Sequence, residues 1–260
     1  MPVIRFGDYC CQGGDVCVDR RSLTLASLEI TRRGRSSLRF SPLGNAPLEP
    51  RLALVGITPG SQSEVFAELL RTEPIEVAAR KAAFAKGQTQ IKELLQAHGF
   101  AARLGLELTG DLNDNPAVLT TSLVKCCLMV DGSYKYKAPD IAANPEATFC
   151  VTNRFVSEIL RFPTLRWVVI FGDPGWESVN TLKRDGLTIR GFLQRRGIEV
   201  LNFPHFAQNF QQRAIFCLKA QDEAEYFRLK PGHRAYAPVA QKMRAALLSA
   251  LSRCDEKQIP

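Results

Sequence analysis

Short, apolar-rich runs that break off at glycine, proline or a polar cluster recur along the chain and alternate with stretches of helical periodicity. Leu52 to Val55, Ala117 to Val124, Leu165 to Phe171 and Gly197 to Phe203 read as buried strands, and LRWVVIF is the plainest of them. Between them, Glu64 to Leu70 and Ile75 to Ala85 read as helices, the second ending near Gly87. Gln90 to His98 carries Ile91, Leu94 and Leu95 at helical spacing and stops at Gly99, a C-terminal cap. Glu146 to Leu160 predicts a helix with Cys150 near its start, and Trp176 to Leu182 a shorter one. Pro238 to Arg253 predicts an amphipathic helix with Val239, Met243, Leu247 and Leu251 on its stripe. Asp131 to Pro145 reads as a polar loop, and Ser27 to Thr31 is strand-like ahead of the Pro-rich SPLGNAPLEP. Strands alternating with helices predict an α/β protein: a three-layer α/β/α fold around a central, mostly parallel sheet of four to five strands. One domain spanning residues 1–260 is expected, with 1–50 as a cysteine- and arginine-rich N-terminal extension.

The sharpest feature is Leu52 to Ser63, LALVGITPGSQS, a buried strand delivering the tight loop Gly56-Ile57-Thr58-Pro59-Gly60. Glycine lets a ligand approach the main chain, and Pro59 biases Thr58 towards extended conformations. Such a loop suits a rigid pocket, although strand-to-Gly/Pro turns are common in α/β proteins. Ligands bind at the carboxyl ends of strands in parallel sheets. That is where this loop falls.

Composition adds a partner and a compartment. With 34 Lys+Arg against 26 Asp+Glu the formal charge is +8, which favours a polyanion and, first among them, nucleic acid. Arg20, Arg21, Arg32, Arg33, Arg35 and Arg39 are either a phosphate-facing cluster or a solvated face. No apolar run is long enough to span a membrane, and MPVIRFGDYCC lacks the apolar core of a secretory signal, so a cytoplasmic monomer is expected. In a reducing cytosol eight cysteines call for metal binding or plain burial rather than disulfides. Cys217 and Cys254 read as core.

Of the three histidines only His205 follows a buried strand into a turn-rich surface. His98 ends a helix, where a histidine meets free carbonyls, and His233 lies in a polar loop. Asp173 either faces the strand ends or caps the following helix, and Asp111, Asn113, Asp114 and Asn115 read as a solvated turn.

LALVGITPG, VLTTSLVKC, RWVVIFGDPGW and VLNFPHFAQ, in that order, resemble the uracil-DNA glycosylase superfamily over roughly Leu52 to Phe210. The layout is closest to that of its iron–sulfur members. The resemblance implies extrusion of a base from DNA into a pocket and hydrolysis of its N-glycosidic bond. Gly56, Ile57, Thr58, Pro59, Gly60, Ser61 and Gln62 would then lie beneath the sugar and base. His205 would stabilise the departing base, and Phe84 would stack on it. Phe206 to Phe210, including Gln208 and Asn209, would press into the minor groove.

Three positions depart from the family pattern. Ile57 and Thr58 stand where members carry Glu, or Asp or Asn, so water activation falls to Thr58 with Gln62, or to Glu64. Ser122 replaces an asparagine that reads the uracil edge, offering one hydroxyl instead of an amide. The substitutions point to a nonstandard base other than uracil, such as a deaminated purine or a modified cytosine of phage DNA excised in antiviral defence. A non-catalytic reader of damaged or modified DNA is the alternative. A phosphate cradle at GITPG is a weaker third, since neither a Walker-type loop nor GxGxxG is present.

The resemblance extends to cysteines. Cys10 or Cys11, Cys17, Cys126 and Cys150 occupy places comparable to the ligands of a [4Fe-4S] cluster. Four thiolates would also hold zinc, and the same residues can be buried small hydrophobes.

Overall fold

The computed structural model describes residues 23–256. Its centre is a four-stranded, wholly parallel sheet flanked by helices on both faces, a three-layer α/β/α arrangement. The strands in chain order are β1 (Glu29–Arg33), β2 (Ser36–Arg39), β3 (Leu52–Gly56), β4 (Val118–Ser122), β5 (Cys127–Val130), β6 (Trp167–Phe171), β7 (Lys183–Arg184), β8 (Leu187–Thr188) and β9 (Glu199–Phe203). The central sheet runs β4-β3-β6-β9.

Because both faces are covered, its strands are apolar at successive positions rather than at alternate ones. Leu52, Leu54, Val169 and Phe203 pack on one side with Gln62–Leu69, Ile75–Ala82, Gln88–Gln96, Phe210–Cys217 and Ala237–Glu256. Ala53, Val55, Val168 and Ile170 pack on the other with the helical segments between Cys150 and Leu160, Asp173–Thr181 and Ile189–Gln194. Phe100, Phe171, Phe203 and Phe216 form a linked group of rings under the first face.

Several expectations change. Residues 23–50 are no mere extension: Leu23, Leu25, Leu28, Phe40 and Leu43 are buried in the core, and β1-β2-β5 form a second, antiparallel sheet. Four buried residues, Cys127–Val130, build an edge strand of that sheet, where the lone sequence offered too short a run to separate from a turn. The arginine cluster is taken up in ion pairs. Arg32 binds Glu29 at 2.8 Å, Arg33 binds Glu146 at 2.5 Å, and Arg35 binds Asp131; Arg20 and Arg21 lie outside the described residues. Asp131 to Pro145 contains a helical turn, Ala138–Ala142. The helix expected over Glu146 to Leu160 widens into a π turn at Cys150–Phe155. Val239 is 39% exposed, and the buried stripe of the last helix is Ala240, Met243, Leu247 and Leu251.

Among the described residues no helix is long and apolar enough to cross a membrane. His98 Nε2 meets the Phe216 carbonyl at 2.6 Å, so it satisfies the end of a helix other than its own.

Candidate active site

The order β4-β3-β6-β9 means that the chain leaves β3 for one neighbour and later returns to build the other. The helices following β3 and β6 pack on opposite faces of the sheet. A crevice therefore opens at the carboxyl ends of these strands. A pocket of about 40 Å³ lies in it, lined by Gly56, Ile57, Thr58, Pro59 and Gln62 after β3, Thr121 and Ser122 at the end of β4, and His205 and Phe206 after β9. Phe84 and Tyr136 complete its walls together with Leu43 and Ala83. Residues 150 positions apart in sequence thus meet around one space.

Close approach of side chains explains Gly172 and Gly87. Gly56 is in register with Ser122, and a Cβ on Gly56 would make ordinary contact, 3.5 Å from Ser122 Oγ and 3.6 Å from Phe84 Cζ. At Gly172 φ is +90°, and a Cβ would fall 3.2 Å from His205 Cδ2. At Gly87 it would fall 2.2 Å from Phe206 Cδ2, so AFAKGQ and PHF are moulded to one another. Phe84 is buried and sits edge-on to Phe171 and Phe206, with ring centres 6.0 and 5.3 Å away. It is a core residue that also faces the pocket. Its φ of +52° is strained for a residue with a side chain. The strained turn is tied down by Asn113, which is buried rather than solvated: its Nδ2 donates to the Ala83 carbonyl at 2.7 Å while its Oδ1 accepts from Thr120.

His205 is held on Phe206 with ring centres 4.9 Å apart and planes 18° from parallel. Burial lowers its pKa to about 4, so the imidazole is neutral at pH 7. The Ala207 N–H donates to Nδ1 at 3.2 Å, which puts the remaining proton on Nε2. The side chain is then a neutral donor in the pocket wall.

Thr58 is engaged. Its Oγ1 accepts from the Gly60 N–H at 3.4 Å, and its side chain and backbone hydrogen-bond the Tyr136 phenol. Burial pushes that phenol up to about 12. The Gln62 amide and the Ser122 hydroxyl make no hydrogen bond among the described residues, and both line the pocket. No carboxylate is among the lining residues. Glu64 is not one of them either; its Oε1 accepts from Tyr134 at 2.7 Å.

Other expected positions fall elsewhere. Gly60 and Ser61 do not line the pocket; Gly60 turns the loop with φ of +58°, and Ser61 is exposed. Gln208 and Asn209 line an adjoining groove of about 670 Å³ together with Asp173, which opens its helix there. Phe206 is 6% exposed and so forms pocket wall instead of a wedge; Phe210, 56% exposed, is the apolar side chain presented on that surface. Tyr136, shared by pocket and groove, sits in a segment whose sequence reads as a polar loop and gives little sign of a pocket wall. The alternation Tyr134-Lys135-Tyr136-Lys137 was its one available signal.

Two of the four expected cluster ligands lie in the same buried cluster. Cys126 and Cys150 are both buried, and the Lys125 N–H approaches Cys150 Sγ at 3.5 Å, a donor arrangement suited to a thiolate ligand. Cys10, Cys11 and Cys17 lie outside the described residues. No group of three or more potential metal ligands occurs among the described residues. The donor chemistry of Cys126 and Cys150 fits an iron–sulfur or zinc site. Cys127 stands apart, its thiol raised to about 11 by burial and hydrogen-bonded to the Gly60 carbonyl at 3.6 Å. Cys217, read as core, is exposed, and the side chain of Cys254 lies outside the description.

Comparison with known proteins returned no matching family model, no matching curated protein and no matching solved structure.

Proposed function

We propose that the pocket receives a base flipped out of DNA and that the protein is a DNA glycosylase acting on a modified or otherwise nonstandard base. The observation that carries this reading is the meeting of three of the four resembling segments at one pocket, with the fourth lining the adjoining groove, and with a neutral histidine donor, an aromatic face and two uncommitted polar side chains around the pocket. A net charge of +8 suits a DNA partner.

Breaking the N-glycosidic bond leaves positive charge on the sugar and negative charge on the base. His205 donates through Nε2–H to the atom of the base where that charge collects; one such preorganised donor is typically worth about 10²–10³ in kcat. Phe84 stacks on the base, and the Ser122 hydroxyl meets its edge. Gln62, with Thr58 beside it, orients the water that adds to the sugar carbon. With no carboxylate in the lining, the sugar cation gains no ionic partner from the pocket, so catalysis rests on His205 and positioning.

At about 40 Å³ the pocket holds only a few waters, since roughly 10–15 Å³ of such space accommodates one. A base is admitted when the wall towards the groove, Tyr136 and His205, moves. A cluster bound through Cys126, Cys150 and two N-terminal thiolates would staple the N-terminal segment to the core and supply no step in hydrolysis.

The narrow pocket without a carboxylate equally favours a second reading, a non-catalytic reader of modified DNA. Base release separates the two. Single-turnover assays should detect free base with the wild type, with the rate cut at least a hundredfold by His205→Ala. Ser122→Asn should shift preference among bases; identical preference would remove Ser122 from recognition.

A further inference from the structure

A second cavity, of about 620 Å³, lies along the free edge of the central sheet, separated from the candidate pocket by the thickness of Leu43, which lines both. The dividing wall is built into β4. Gly44 approaches so closely that a Cβ would fall 2.5 Å from the Thr120 carbonyl oxygen. Asn45 stands in for a strand partner: its Nδ2 donates to the carbonyls of Val118 and Asn113, and its Oδ1 accepts from the Thr120 N–H.

Charge distinguishes this cavity from the groove outside the pocket. The groove sets Arg35, Lys135 and Lys137 against Asp131, Asp140 and Asp173, an even balance. The edge cavity sets Arg80, Lys125, Arg154 and Arg161 against Glu76 and Glu158, an excess of positive charge. Arg80 is bound to Asp114 at 3.0 Å, and Lys125 to Glu158. Arg154 and Arg161 form no ion pair or hydrogen bond through their guanidiniums among the described residues. They are seven positions apart, so they lie on one stripe of the helical segment with Ser157 between them, about 10 Å apart along its axis. Guanidiniums are planar forks suited to phosphate oxygens.

We propose that this cavity is a phosphate-binding site, with Arg154 and Arg161 as its anchors and the Ser157 hydroxyl between them. One strand of nucleic acid rises roughly 3.4 Å per phosphate, so its backbone reaches both anchors, whereas a single free phosphate reaches one. The backbone of a strand running past the pocket is therefore the occupant. The cavity is also tied to the pocket: Thr121, a pocket residue, donates to Glu158 at 2.7 Å and accepts from Lys125. The site stands whether or not a base is excised next door.

The test is the double variant Arg154→Gln/Arg161→Gln of the full chain, against a control, Arg195→Gln/Arg234→Gln, that removes the same charge from exposed positions elsewhere. Anisotropy of a labelled single-stranded oligonucleotide gives the salt dependence of binding, and calorimetry gives the affinity for inorganic pyrophosphate. Loss of two phosphate contacts lowers the log–log salt slope by about 1.4, so the weakening between 50 and 200 mM salt becomes about sevenfold smaller. That loss in the double variant, with the control unchanged, supports a backbone occupant. Unchanged oligonucleotide binding with pyrophosphate binding lost supports a free phosphate ligand at the same site. No change in either readout, or equal effects in the control, overturns the site. Neither readout involves base release, so failure of the glycosylase reading leaves this test intact.

Discussion

Half-buried, neutral His205 makes stability fall on acidification in a way that can be calculated. Its pKa is lowered to about 4 in the folded protein, against 6.5 for an ordinary histidine, with burial as the cause. A histidine whose folded pKa is depressed binds fewer protons folded than unfolded. Stability is therefore intact above 6.5 and is lost as pH falls from 6.5 through 4, the loss being complete only below 4. Between pH 7 and pH 5 the difference in proton binding amounts to roughly 2 kcal/mol. The assay is urea denaturation of the wild type and of His205→Asn at both pH values. Other groups titrate in both proteins, so subtraction isolates His205. The wild type should lose roughly 2 kcal/mol more than the variant. Equal losses would mean that the imidazole protonates freely in the folded protein, and the neutral-donor role would fall with it.

The remaining predictions concern the walls. Gly172→Ala combines an unfavourable positive φ with contact against His205 and should cost about 1–2 kcal/mol, shifting the His205 ring resonances in NMR. Gly87→Ala drives a methyl into the Phe206 ring and should destabilise by about 1–3 kcal/mol in denaturant melts, more than Gly232→Ala, where the added methyl meets nothing within 4 Å. Tyr136→Phe deletes the phenol bound to Thr58 and should cost about 1 kcal/mol, while Tyr136→Ala opens the pocket to the groove and should speed binding of a bulky base. Anaerobically purified protein should contain iron with broad visible absorption, lost in Cys126→Ser; a colourless, iron-free wild type would exclude the cluster.

The parallel sheet was readable because strands covered on both faces are apolar throughout, and LRWVVIF and LALVG carry that signal undiluted. The pocket was readable in part for a related reason: Gly56 and Ser122 end such strands, Thr58 and His205 closely follow them, and topology gathers these ends. What stayed hidden depends on distant partners. Nothing local distinguishes Tyr136 from a loop residue until Thr58 is beside it. Phe206 looked like a wedge in sequence because its burial comes from Gly87 and Phe84, more than a hundred residues earlier. Most of the β1-β2-β5 sheet escaped because β2 and β5 have four residues each and, although β1 and β2 form a hairpin, β5 joins them from far along the chain. The arginines of β1 and β2 looked available to DNA because their carboxylate partners, Asp131 and Glu146, are remote in the chain.

The most direct measurement is a cleavage panel. Purified protein is incubated with DNA containing uracil, hypoxanthine, hydroxymethylcytosine or glucosylated hydroxymethylcytosine, and abasic sites are scored as strand breaks after alkali. The account predicts breaks at a modified or deaminated base other than uracil, abolished by His205→Ala. Intact strands on every substrate, with DNA that the protein demonstrably binds, would contradict base excision and leave a reader of modified DNA.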